Sequence, residues 1–162
     1  MLRWFLLLAA AAAARPGAVV YAGGAWAAID RGPVCEAVSR SLKVAAKGKV
    51  QAVAGFSFTA DHRRWGEFHA RLSRMPRSGS TVILTIGQQP FLLVGRGDWA
   101  WSTGAVQQRA IIAAIRAGGW MKVESRDGAG QRFTDPYLTD GAATAIDSAA
   151  ARCALRAAGK IR

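Results

Sequence analysis

Few side chains in this 162-residue chain could do chemistry. The only two histidines are His62 and His69, with Asp61 and Glu67 as acidic neighbours. Imidazole and carboxylate together can bind a metal or move a proton. Asp61, His62 and Glu67 would need further groups from elsewhere in the chain, and a solvated strand edge is the simpler account. No G-x-S-x-G, H-E-x-x-H or C-x-x-C string occurs, and the acids are scattered, with no pair to act as general acid and base. The expectation is no catalytic residue, no metal and no cofactor.

A second feature is Arg96-Gly97-Asp98, the tripeptide that integrins read on extracellular proteins. Three residues are a weak signal in a chain rich in Arg and Gly. Glycine tolerates positive φ and Asp bonds its own backbone, so the same residues also make a turn. The two readings differ in what Asp98 does, contact a receptor or hold the fold.

The two cysteines are Cys35 and Cys153. In an oxidising compartment an even pair far apart in the chain reads as a disulfide. The N-terminus supports such a compartment. Arg3 precedes an uncharged apolar run from Trp4 to Ala14, which Arg15-Pro16-Gly17 breaks. That run has the length of a signal-peptide core and is too short to span a bilayer. Cleavage is expected after Val20-Tyr21-Ala22, with Gly23 as the new N-terminus, and after Ala14 as second choice. Residues 1–22 are thus read as a signal and 23–158 as one domain, in the periplasm or secreted.

Charge points to the partner. The chain carries 22 Lys and Arg against 10 Asp and Glu, a net +12. The expected signal holds two of those cations and no acid, which leaves +10. Such a balance favours acidic partners. Export argues against nucleic acid, and no helix-turn-helix, zinc-finger or RNP-like string is present. An anionic envelope component or a protein partner remains, with peripheral membrane contact allowed. The contact candidates are Lys43, Lys47 and Lys49 in the basic loop, and Arg63-Arg64-Trp65. The loop is no P-loop, because Lys49 precedes Val rather than Ser or Thr. Trp26, Trp99, Trp101 and Trp120 read as core residues.

These residues need a frame. Apolar and polar residues alternate over 66–73, and residues 81–87 are rich in β-branched side chains, as strands require. Further strands are expected over 25–30, 34–39, 51–59, 91–94, 120–125 and 131–138. Trp99-Ala100-Trp101 sets two indoles on one side of an extended segment. Ala105 to Ala117 reads as a helix capped by Ser102 or Thr103 and ended by Gly118-Gly119. A last helix, capped by Thr139 or Asp140, repeats Ile146, Ala149, Ala150 and Cys153 at i, i+3, i+4 and i+7. The expected fold is mainly β, an antiparallel β-sandwich or barrel-like sheet of about eight strands with two packed helices.

In this order and spacing the chain resembles the invasion-associated locus B family of exported bacterial proteins. The residues that carry the resemblance are Trp26; Val34-Cys35 and Ser39; Gly66-Glu67; the 81–87 strand with Phe91 and Leu93; Gly97-Asp98 and Ala100-Trp101; Ile115 to Gly118; Asp135, Tyr137-Leu138 and Gly141; and Cys153. They span about residues 24–155. The resemblance implies a β-rich envelope domain linked to host-cell invasion, with no catalytic residues to carry over. It also implies that Gly97, Asp98 and Trp101 are turn and core residues. Asp61 to Trp65 departs from the pattern in its arginines. The function expected is that of a non-catalytic envelope protein, with an adhesin or a periplasmic enzyme as alternatives.

Overall fold

The computed structural model describes residues 17–161. Residues 1–16, with the apolar run of the expected signal, lie outside the described residues, as does residue 162. The chain runs through β1 (Ala18–Gly23), β2 (Trp26–Asp30), β3 (Val34–Arg40), β4 (Val53–Thr59), β5 (Trp65–Arg71), β6 (Val82–Ile86), β7 (Gln89–Arg96), β8 (Trp99–Trp101), α1 (Gly104–Arg116), β9 (Trp120–Arg126), β10 (Arg132–Leu138) and α2 (Ala142–Ala157). All ten strands form one antiparallel sheet in the order β1-β2-β3-β4-β5-β8-β7-β6-β9-β10. The sheet does not close, but its two wings approach each other. Trp26 Nε1 donates to the Leu138 carbonyl at 2.8 Å, and the Leu42 N–H donates to the Pro136 carbonyl at 2.8 Å.

This is the mainly β, barrel-like sheet with two helices that the sequence pattern predicts. Two strands are added. β8 is the short Trp99-Ala100-Trp101 segment, which joins β5 to β7. β1 takes residues assigned above to the signal, so the expected boundary at Ala22 falls inside a paired strand.

Alternation makes the core. β2, β6, β9 and β10 each bury every second side chain, and Phe56, Phe68, Leu84, Met121, Val123 and Tyr137 meet between the wings and the helices. α1 contributes Ile111, Ala114 and Ile115. α2 contributes Ala142, Ala145, Ile146, Ala149 and Cys153, the spacing foreseen for its buried face. Its N-cap is Gly141, not Thr139 or Asp140. Gly141 has φ 82°, and a Cβ there would collide with the Gly23 carbonyl, so the position needs glycine.

Cys35 and Cys153 form a disulfide, both sulfurs fully buried. It joins α2 to the middle of the β1–β4 wing. Beside it Asp30, also buried, accepts from Arg152 Nε at 2.5 Å and Arg156 Nη2 at 2.9 Å. The Arg156 and Arg152 guanidiniums hold the Asp30 carboxyl far below the usual carboxylate range, against the opposing effect of burial.

Candidate functional site

The basic loop sits at one end of the sheet, between β3 and β4. Gln51 shapes it, with Oε1 accepting from the Ala45 N–H at 2.9 Å and Nε2 donating to the Lys43 carbonyl. Lys43 Nζ crosses to the Thr134 carbonyl on β10 at 2.8 Å. This brings the loop beside residues distant in sequence. Lys43, Lys49, Arg74 and Asp127 share the wall of one depression of about 510 Å³. Arg74 pairs with Asp127 at 2.8 Å, and the Arg77 N–H donates to the Arg126 carbonyl. Arg126 stands opposite Arg132 across β9 and β10.

Seven exposed cations therefore gather at this end: Lys43, Lys47, Lys49, Arg74, Arg77, Arg126 and Arg132. Exposed apolar side chains lie among them. Leu42 is 54% exposed, Val44 89% and Met75 64%. The four arginines are absent from the expected site, because they come from the β5–β6 connection and the β9–β10 hairpin. Only the curl of the sheet makes them neighbours of the loop.

Arg63, Arg64 and Trp65 lie elsewhere. Val34 pairs with Thr59 and Arg40 with Val53, so the 60–64 turn and the basic loop are at opposite ends of β4. In that turn His62 stacks on Trp65 with centroids 4.3 Å apart, and Trp65 packs edge-on against Phe58. The two basic candidates do not form one surface.

Arg96-Gly97-Asp98 is a tight β7–β8 turn. Arg96 pairs with Trp99, and Gly97 has φ 62°, as a two-residue hairpin loop with glycine first requires. Asp98 Oδ2 accepts from Arg71 Nε at 2.9 Å, and the Asp98 carbonyl accepts from the Leu72 N–H. Both the carboxylate and the backbone of Asp98 are thus engaged in anchoring the turn to β5 and the residue after it.

The sheet face turned away from the helices carries a different group. Glu36, Ser57, Glu67, His69, Trp99 and Trp101 surround a shallow cleft of about 230 Å³, with Arg64 at its rim. Glu36, His69 and Trp99 also line an adjoining cleft of about 640 Å³ that runs toward β1 and β2. The two indoles are nearly parallel, 16° apart with centroids at 6.1 Å. Neither belongs to the core, and Trp120 is 50% exposed; of the four tryptophans assigned to the core, only Trp26 is in it. Alternation places Trp99 and Trp101 on one side but does not say which.

His69, expected among the polar residues that alternate along a half-buried strand, is buried on this face. Its ring lies over Gly55, where a Cβ would stand 2.8 Å from Nε2. Ser57 Oγ is 3.1 Å from Nδ1, and Nε2 is 3.8 Å from Glu36 Oε1. Burial holds the imidazole below its ordinary range, with Glu36 opposing. The order Ser–His–Glu has the outline of a nucleophile relay. However, Ser57 is buried in the middle of β4, paired with Glu36 of β3 and Glu67 of β5. A nucleophile needs access and free donors for an oxyanion. Among the described residues no group of three or more His, Cys, Asp and Glu could hold a metal. His62 and His69 point to different surroundings, one on the turn and one on the sheet face.

No known family pattern matches the chain, and no curated protein matches it in sequence. The fold is similar to the crystal structure of invasion associated protein B from Bartonella henselae. The similarity covers 82% of this chain and 96% of that one, with a TM-score of 0.59 at 17% sequence identity. At that identity, what the two chains share is the fold.

Proposed function

We propose that this chain is an exported, non-catalytic envelope protein of the invasion-associated locus B type, which docks peripherally on an anionic membrane surface. The observation that carries the reading is the basic end. Seven exposed cations lie at the end that also exposes Leu42, Val44 and Met75, and Asp127 there is paired with Arg74. Lys and Arg near an anionic bilayer contribute about 1 kcal/mol each, and exposed apolar side chains among them enter the headgroup layer. No helix among the described residues is long and apolar enough to cross a membrane, which fits attachment from one side. The shared fold with invasion associated protein B and the buried disulfide support the family and the export. A role in host-cell invasion is part of the same proposal.

The test is sedimentation with vesicles of phosphatidylglycerol or of phosphatidylcholine. Binding is expected to the anionic vesicles only, to fall with salt, and to be lost in a Lys43→Glu, Lys47→Glu, Lys49→Glu variant. Val44→Ser weakens it without changing its salt dependence. Equal binding to both vesicles, or none to either, overturns the proposal.

A further inference from the structure

We infer that the sheet face around Trp99, Trp101, Glu36 and His69 is a second binding site, built for a neutral, hydroxyl-rich oligosaccharide. The site is separate from the basic end and goes beyond the membrane-docking reading.

Three observations carry the inference. The first is the aromatic platform. Trp99 and Trp101 stand side by side on β8, their rings near parallel and 6.1 Å apart, with the cleft along them. Half-buried indoles on an open sheet face leave apolar ring surface in contact with water. A sugar ring offers a matching C–H face while its hydroxyls stay at the edge. Such stacking shares the geometry of other contacts to an indole face.

The second is the hydrogen-bonding frame. If Ser57 Oγ donates to Nδ1, the neutral imidazole carries its proton on Nε2. That N–H faces Glu36 Oε1 across 3.8 Å, too long for a hydrogen bond. A ligand hydroxyl satisfies both groups, because it accepts from Nε2 and donates to the carboxylate. A phosphodiester or carboxylate can accept but not donate, and an ammonium can donate but not accept. Glu67 and Arg64 offer a further acceptor and donor at the rim.

The third is charge. In a chain of net +12, two of the arginines on this face are paired with acids. Arg31 pairs with Glu36 at 2.6 Å and Arg71 pairs with Asp98, while Glu36, Glu67 and Arg64 line the smaller cleft. The wall of the smaller cleft carries two carboxylates, Glu36 and Glu67, to one arginine, Arg64, so a polyanion finds no excess of cations there, unlike at the basic end.

The experiment is calorimetric titration of the oxidised protein with three neutral tetrasaccharides (chitotetraose, cellotetraose and maltotetraose) and with anionic oligogalacturonate. At least one neutral sugar is expected to bind, with a change in tryptophan fluorescence. Trp101→Ala and Glu36→Gln are expected to weaken it by roughly tenfold or more, and Trp101→Phe to restore most of the affinity. Lys47→Glu with Lys49→Glu leaves sugar binding unchanged while weakening vesicle binding, so the two sites fail separately. Urea unfolding confirms that each variant is folded. Silence from all three neutral sugars overturns the inference. So does a preference for the galacturonate, or unaltered affinity in folded Trp101→Ala and Glu36→Gln.

Discussion

Replacing both Cys35 and Cys153 with alanine is expected to remove about 5 kcal/mol of stability. The bridge closes a loop of 118 residues, nearly the whole described domain. The chain-entropy relation gives that figure for a loop of this length. The native state changes less, because α2 stays docked by Ala142, Ala145, Ile146 and Ala149, and by Asp30 with Arg152 and Arg156. The loss therefore acts through the unfolded chain, which gains conformations. Equilibrium unfolding in urea, followed by tryptophan fluorescence, reads it directly. With a slope of about 2 kcal/mol per molar, the midpoint falls by roughly 2–3 M. Adding reductant to the native sequence should reproduce the shift. Domains of this size have about 5–15 kcal/mol in total, so the reduced protein is marginal. A midpoint change below about 0.5 M at unchanged slope would refute the reasoning, since it would mean the uncrosslinked chain is no freer than the crosslinked one.

Three further outcomes follow from the geometry. The Asp30 carboxyl is depressed in the folded state, so its contribution is complete above its unfolded value of 3.8 and is lost as pH falls below that. Unfolding midpoints measured down the pH scale should show this loss; Asp30→Asn should remove that pH dependence and cost about 3–5 kcal/mol at neutral pH by breaking a buried ion pair. Asp98→Glu should lower stability by no more than about 1 kcal/mol, because the pair with Arg71 is partly exposed; attachment of integrin-bearing cells to the immobilised protein should not change, and its loss in a stable variant would restore the adhesin reading. The intact mass of protein recovered from the periplasm should correspond to cleavage after Ala14, which keeps β1, and should be two hydrogens lighter than the reduced form; a chain beginning at Gly23 would lack the strand that pairs with Ala27 to Asp30.

What the sequence made legible was local. The hairpin of β6 and β7 and that of β9 and β10 follow from β-branched runs and turn residues, and both lie where expected. Cys153 was placed on the buried stripe of α2 by helical spacing alone, and the partner followed from there being one other cysteine. β1 was hidden because Val20-Tyr21-Ala22 fits a cleavage site and an edge strand equally well. His69 was misplaced for a different reason. Period-two alternation puts it opposite Phe68 and Ala70, and that is correct. Alternation equates the opposite face with water, whereas here Trp99 and the strand around Gly55 cover the ring.

The two surfaces depend on non-local order in the sheet. β8 enters between β5 and β7, so Trp99 and Trp101 come to stand beside His69 and Arg71, about thirty residues earlier in the chain. β10 curls back to the end of β3, which sets Thr134 under Lys43 and brings Arg74 and Asp127 beside Lys49. Neither neighbourhood leaves a motif, because each residue is polar or aromatic for its own strand. The charge separates them. Cations concentrate where the connections cluster, at the loop ends, while on the face of β3, β4, β5 and β8 Arg31 pairs with Glu36 and Arg71 with Asp98. A sheet whose end is basic and whose open face carries ion pairs and two indoles can hold an anionic surface with the one and present the other to a different ligand. Variants in Lys47 and Lys49 on one side, and Trp101 and Glu36 on the other, separate those two roles without touching the core.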